Sequence, residues 1–170
     1  MRTIIDLVEA AQRTDLNDAF WEWFGDSKVV DPNGNPMVMY HGTSGDIEAF
    51  DPDLIGSATD EGLYSRGFYF TPFHGNGLLH MGTAGAYTSS NGGNIIPVYL
   101  SIQNPLKVMS ANWGRVSADM LKGHDGVIVC EGYGWLKDGP IQEIVAFHPT
   151  QIKSIFNKGT WSASDPRIDH

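Results

Sequence analysis

A single cysteine, Cys130, stands in a chain of 170 residues, so no internal disulfide can form and a disulfide-stapled scaffold is excluded. Cys130 closes the apolar run Gly126-Val127-Ile128-Val129, where a small buried thiol is expected. A lone thiol suits a reducing cytosol, and a cytoplasmic location is the expectation. Basic residues are scarce as well: 11 Lys and Arg face 20 Asp and Glu, a formal net charge of -9. No diffuse positive field exists to hold nucleic acid or anionic membrane unspecifically. Lys107, Arg115 and Lys122, or Lys153 and Lys158, could form a local basic patch, with solvated surface the plainer reading of each. No hydrophobic run approaches the roughly 20 residues of a membrane span. Asp6 and Glu9 interrupt the first apolar stretch, where a signal peptide needs an uncharged core. A soluble, unprocessed chain with no membrane partner is expected.

Several chemistries lack their motif. Gly75-Asn76-Gly77 begins like a dinucleotide fingerprint, but His80 stands where the third glycine belongs. The histidines lie at 41, 74, 80, 124, 148 and 170, and the close pair, His74 and His80, has neither helical i,i+4 nor zinc-finger spacing. No metal site is expected. Phosphate-loop, nucleophile-elbow and Cys-His signatures are all absent. So are internal repeats and any linker that would divide the chain, which leaves one domain over residues 1–170 as the expectation.

What is present is 41% hydrophobic residues with 20 Gly and 9 Pro scattered without period, a composition that predicts a loop-rich α+β fold of short elements. Residues 1–26 read as a helical segment: an apolar stripe over 3–12, then a second helix capped by Asp15, running through Phe20, Trp23 and Phe24 and ended by Gly25. Turn formers at 31–36 introduce Met37 to Tyr40, a run apolar on both faces that suits a central strand, with His41-Gly42-Thr43 at its end. Further strands are expected at 67–70, 95–102, 106–108, 126–130 and 143–147, and helices at 77–89 and near 115–122. Residues 157–170 look like a loosely attached tail.

Taken singly, His41 reads as a hydrogen-bonded structural histidine, and Tyr69 and Tyr87 as core or rim aromatics. Glu143 is harder to absorb into a core. Period-two alternation sets it on one face with Val145 and Phe147, so a carboxylate stands in line with apolar side chains and needs a cleft mouth or a partner.

Together, His41-Gly42-Thr43, Gly67-Phe68-Tyr69-Phe70, Ala84-Gly85-Ala86-Tyr87 and Glu143-Ile144-Val145 occur in the order of the His-Tyr-Glu ADP-ribosyltransferases, and the chain resembles that superfamily. Trp23-Phe24-Gly25-Asp26-Ser27-Lys28-Val29-Val30, Val98-Tyr99-Leu100, Asn104-Pro105-Leu106, Asp125-Gly126-Val127-Ile128 and Phe147-x-Pro149-x-Gln151-Ile152-Lys153-Ser154 are similar to its ART-PolyVal branch, found in phage and plasmid polyvalent proteins. The resemblance spans about residues 20 to 169. It implies a split, strongly bent pair of small β-sheets with flanking helices, and NAD as co-substrate in the cleft, with no metal. His41, Gly42, Thr43, Tyr69 and Tyr87 would bind NAD: His41 at the adenosine ribose, Gly42 through its backbone at the carboxamide, the two tyrosines around the nicotinamide ring. Glu143, with His41 and Tyr69, would be catalytic.

The residue types suit the chemistry. Breaking the bond to nicotinamide builds positive charge on the ribose, which a carboxylate stabilises, while aromatic rings hold a flat cation and glycine lets the backbone approach an amide. Two departures stand out. Poly(ADP-ribose) polymerases have a serine three residues before the second tyrosine, where this chain has Ala84; arginine-directed members have Gln or Glu two residues before the catalytic Glu, where it has Ile141. An arginine acceptor is disfavoured. In the loop before Glu143, Tyr133 and Trp135 are candidate acceptor contacts, or else a hydrophobic lid that packs the hairpin. The resemblance implies a mono-ADP-ribosyltransferase acting on a protein or nucleic acid, as a phage or mobile-element effector. An NAD glycohydrolase, or a binding module without catalysis, are the alternatives.

Overall fold

The computed structural model describes residues 16–43, 45–55, 67–72, 94–132 and 139–170. Helix α1, Asp18–Phe24, starts where the Asn17 side chain accepts from the Phe20 amide at 2.9 Å. Asn17 therefore does the capping expected of Asp15, which lies outside the described residues, as do the helices expected at 3–12 and 77–89. Both Asx residues have the short acceptor a cap requires, and the sequence does not separate neighbouring candidates. Gly25 ends the helix at φ 53°, returning its N–H to the Trp21 carbonyl, a geometry that favours glycine.

Seven strands follow among the described residues: β1 Met39–Thr43, β2 Phe68–Phe70, β3 Asn94–Leu100, β4 Pro105–Met109, β5 Gly126–Cys130, β6 Ile141–Ala146 and β7 Ile152–Ser154. They form two sheets, ordered β1-β3-β7 and β2-β6-β5-β4. All pairings are antiparallel except β4 with β5. A two-bond bridge between Tyr40 and Thr71, at 2.8 and 3.0 Å, joins the sheets at β1 and the end of β2. Among the described residues, mixed α and β with two small sheets and little helix agrees with the α+β fold of paired small sheets that the resemblance implies.

Alternation along the strands divides the apolar residues among three layers. Met39, Val98, Leu100 and Ile152 of the first sheet pack against Phe68, Phe70, Ile128, Ile144 and Ala146 of the second. On the outer face of the first sheet, Tyr40 and Tyr99 meet Phe20, Trp23 and Phe24 of α1 and Trp161. On the outer face of the second, Val127, Val129 and Val145 are covered by Val116 and Leu121.

Four readings need correction. His41-Gly42-Thr43 forms the last three residues of β1, as expected, but among the described residues β1 is an edge strand of its sheet and not a central one, with the Tyr40 bridge as its link to β2. Residues 110–115 form a 3-10 helix, and the expected helix near 115–122 is a set of i→i+3 turns at Met120, Leu121 and Lys122. Lys153 is no surface charge: it is fully buried in β7, donating from Nζ to the Asp165 and Arg167 carbonyls at 2.6 and 2.8 Å. The tail is not loose, because those bonds, buried Trp161 and Ile168, and Ile168 N–H to the Glu48 carbonyl fasten it down.

Candidate active site

His41 sits at the seam between the sheets. Its Nδ1 is 2.8 Å from the Tyr69 carbonyl oxygen. A carbonyl can only accept, so Nδ1 carries the hydrogen, and the neutral ring presents Nε2 as a bare acceptor. Phe50 meets the ring edge-on, centroids 4.9 Å apart, and Phe70 lies at 5.5 Å. Burial among these rings pushes the imidazole pKa below its ordinary value, with the Tyr69 carbonyl opposing in part. The ring is thereby held neutral and in one tautomer.

Gly42 and Thr43 continue β1 opposite Ile95 and Asn94, all half-buried or exposed. The chain beyond is anchored where Asn94 Nδ2 donates to Asp46 at 2.8 Å. Tyr69 occupies the middle of β2, opposite Val145. Its neighbours Phe68 and Phe70 point into the inner core, so its own ring is sent to the outer face, against the Val127, Val129 and Val145 layer. Gly67 makes this strand start possible: at φ 85°, any Cβ would come 2.6 Å from the Ala146 carbonyl.

Glu143, opposite Val129 and half-buried, shares that outer face with Val145, as the alternation predicts. Tyr69 opposes Val145, two residues along, which makes it the diagonal cross-strand neighbour of Glu143. Tyr69 thus links the set, its carbonyl fixing the His41 ring and its side chain sharing the face of Glu143. Tyr87, Tyr133 and Trp135 lie outside the described residues. Phe50, which walls His41, carried no sequence signal beyond being apolar between acidic residues.

The other quoted motifs hold joints. The Asp125 carboxylate accepts from the Gln103 and Asn104 amides at 2.7 and 2.9 Å. Gln151 accepts from the Phe147 and His148 amides and donates to the Asp125 carbonyl. Ser27 bonds the Leu100 carbonyl and accepts from the Val29 and Ile102 amides. These contacts pin the ends of β3 to β7 and so fix where β6 delivers Glu143.

Among the described residues, no group of three His, Cys, Asp or Glu side chains could hold a metal ion, and no helix is long and apolar enough to cross a membrane. A comparison with curated proteins found no match. The family model described as "ADP-Ribosyltransferase in polyvalent proteins" matches residues 31–162, a span that takes in His41, Tyr69, Tyr87 and Glu143 as well as the joints at Asp125 and Gln151. The chain belongs to that family, ART-PolyVal, and carries an ADP-ribosyltransferase domain.

Proposed function

We propose that this chain cleaves NAD at the nicotinamide–ribose bond and transfers a single ADP-ribose unit to a macromolecular acceptor. The observation that supports the reading is that Tyr69 meets both residues: its carbonyl bonds His41 Nδ1, and its side chain lies on the face of Glu143. In it, His41 Nε2 accepts from a hydroxyl of the adenosine ribose. The Gly42 backbone and Thr43 meet the nicotinamide portion, and Tyr69 and Tyr87 stack on its ring. Glu143 holds the nicotinamide-ribose hydroxyl and stabilises the cationic ribose. The C1′–N bond breaks with its electron pair leaving on nicotinamide, which departs neutral. The acceptor's lone pair forms the new bond to C1′, and its proton passes to solvent.

Tyr133 and Trp135 are proposed as acceptor contacts, and Ile141 in place of Gln or Glu speaks against an arginine acceptor. A phage or mobile-element effector acting in the cytosol is the setting the branch suggests. Incubation of purified protein with NAD labelled in the adenylate portion and a clarified lysate tests the reading. Label on macromolecules is the expected result. Free ADP-ribose alone would make the protein a glycohydrolase, and NAD binding without nicotinamide release would make it a binding module.

A further inference from the structure

The pairing of β6 with β5 slips by one residue beside Glu143. Glu143 lies opposite Val129, yet Ile141 lies opposite Cys130. Gln142 is therefore the extra residue of a β-bulge, without a partner on β5, and bulges re-aim the side chains around them. The packing registers the change. Regular alternation would put Ile141 on the face of Glu143, but Ile141 packs with Cys130 against the inner core. The polar group next to Glu143 on this side is thus Gln142. It is half-buried, and among the described residues its amide makes no hydrogen bond. That leaves a donor and an acceptor for a ligand.

Position along the strand decides which ligand. Tyr69, the ring read above as stacking on nicotinamide, stands opposite Val145, on one side of Glu143 along β6. Gln142 is on the other side, where the strand meets the loop bearing Tyr133 and Trp135. A nucleophile that displaces nicotinamide approaches the ribose from the side away from the leaving group, and its orientation there contributes to the rate. We propose that Gln142 is a specificity-determining residue for the acceptor: its side-chain carbonyl accepts a hydrogen bond from the N–H or O–H of a neutral nucleophile. This turns the nucleophile's lone pair toward the carbon that nicotinamide leaves. The inference rests on the transferase reading above and names the acceptor side of the same site.

Labelled NAD and clarified lysate, with macromolecule-bound label and free ADP-ribose counted in one reaction, provide the test. Gln142→Met preserves side-chain length and removes the amide. The ratio of bound to free product should fall about five- to tenfold, the effect of losing one such hydrogen bond, with KM for NAD and the melting temperature unmoved. Gln142→Glu keeps an accepting oxygen and should retain the ratio better than Met. An unchanged ratio in Gln142→Met would overturn the proposal. So would a raised KM for NAD without a change in ratio, which moves Gln142 to the NAD side. If Gln142→Met melts early, the ratio in Gln142→Glu decides: one no better than that of Ala at the same position overturns the proposal. Absence of nicotinamide release from the wild-type chain would overturn the transferase reading, and this inference with it.

Discussion

At the joint around Asp125, the polar side chains are engaged by main-chain partners: both carboxylate oxygens accept amides, and the Gln151 side chain bonds three backbone groups. At the seam around His41 the accounting differs. The ring is bonded through Nδ1 to the Tyr69 carbonyl and walled by Phe50 and Phe70, and among the described residues Nε2 makes no hydrogen bond. A side chain whose groups are all taken holds chain segments together. One held rigidly with an acceptor left over is prepared for a ligand. Sequence motifs mark both regions with equal strength, so motif strength does not separate architecture from chemistry; the hydrogen-bond accounting does.

The comparison makes predictions that split stability from binding. The largest effect belongs to the joint. In Gly126→Ala the new Cβ would lie 2.7 Å from the Val145 carbonyl and 3.0 Å from Ile102. The clash with backbone should cost roughly 3 kcal/mol, read as a lowered urea midpoint, while the fraction still folded binds NAD with wild-type affinity. Loss of affinity with unchanged stability would erase the distinction. At the seam the pattern should invert. Tyr69→Ala removes a half-buried ring and should weaken NAD binding about tenfold by calorimetry, from the loss of roughly 1.5 kcal/mol of ring contact. A folded variant with intact affinity would remove Tyr69 from the site.

The smallest effect is a pH slope. Burial lowers the His41 pKa from its ordinary value of 6.5, so above that pH the ring is neutral whether the chain is folded or not. As pH falls below 6.5 the unfolded chain takes up the proton first, and stability declines until the folded ring also protonates. His41→Gln should flatten the slope of unfolding free energy between pH 6.5 and 5. An equally steep slope in the variant would show that the imidazole is not desolvated as described.

Legibility followed the physical origin of each feature. Strand β5 was readable to the residue because an unbroken apolar run between Gly126 and Cys130 admits one reading. The face of Glu143 was readable because period-two alternation with Val145 is local. Residues 115–122 misled because Val116 and Leu121 are core residues, and apolar spacing alone does not tell a helix from consecutive turns. Lys153 was not readable, because its acceptors are the carbonyls of residues 12 and 14 positions ahead, and carbonyls leave no mark in a sequence. The bulge at Gln142 was hidden for a similar reason: register belongs to two strands, and one strand's pattern does not state it.

Glu143→Gln bears most directly on the central claim, since it keeps the shape of the side chain and removes its charge. Nicotinamide release from purified protein, measured with NAD affinity and the melting temperature, separates the two roles a half-buried carboxylate can have. If Glu143 stabilises charge that develops on the ribose, turnover falls about a hundredfold or more while NAD affinity and melting hardly move. Nicotinamide release near the wild-type rate, together with a lowered melting temperature, would contradict the assignment and return Glu143 to the structural residues.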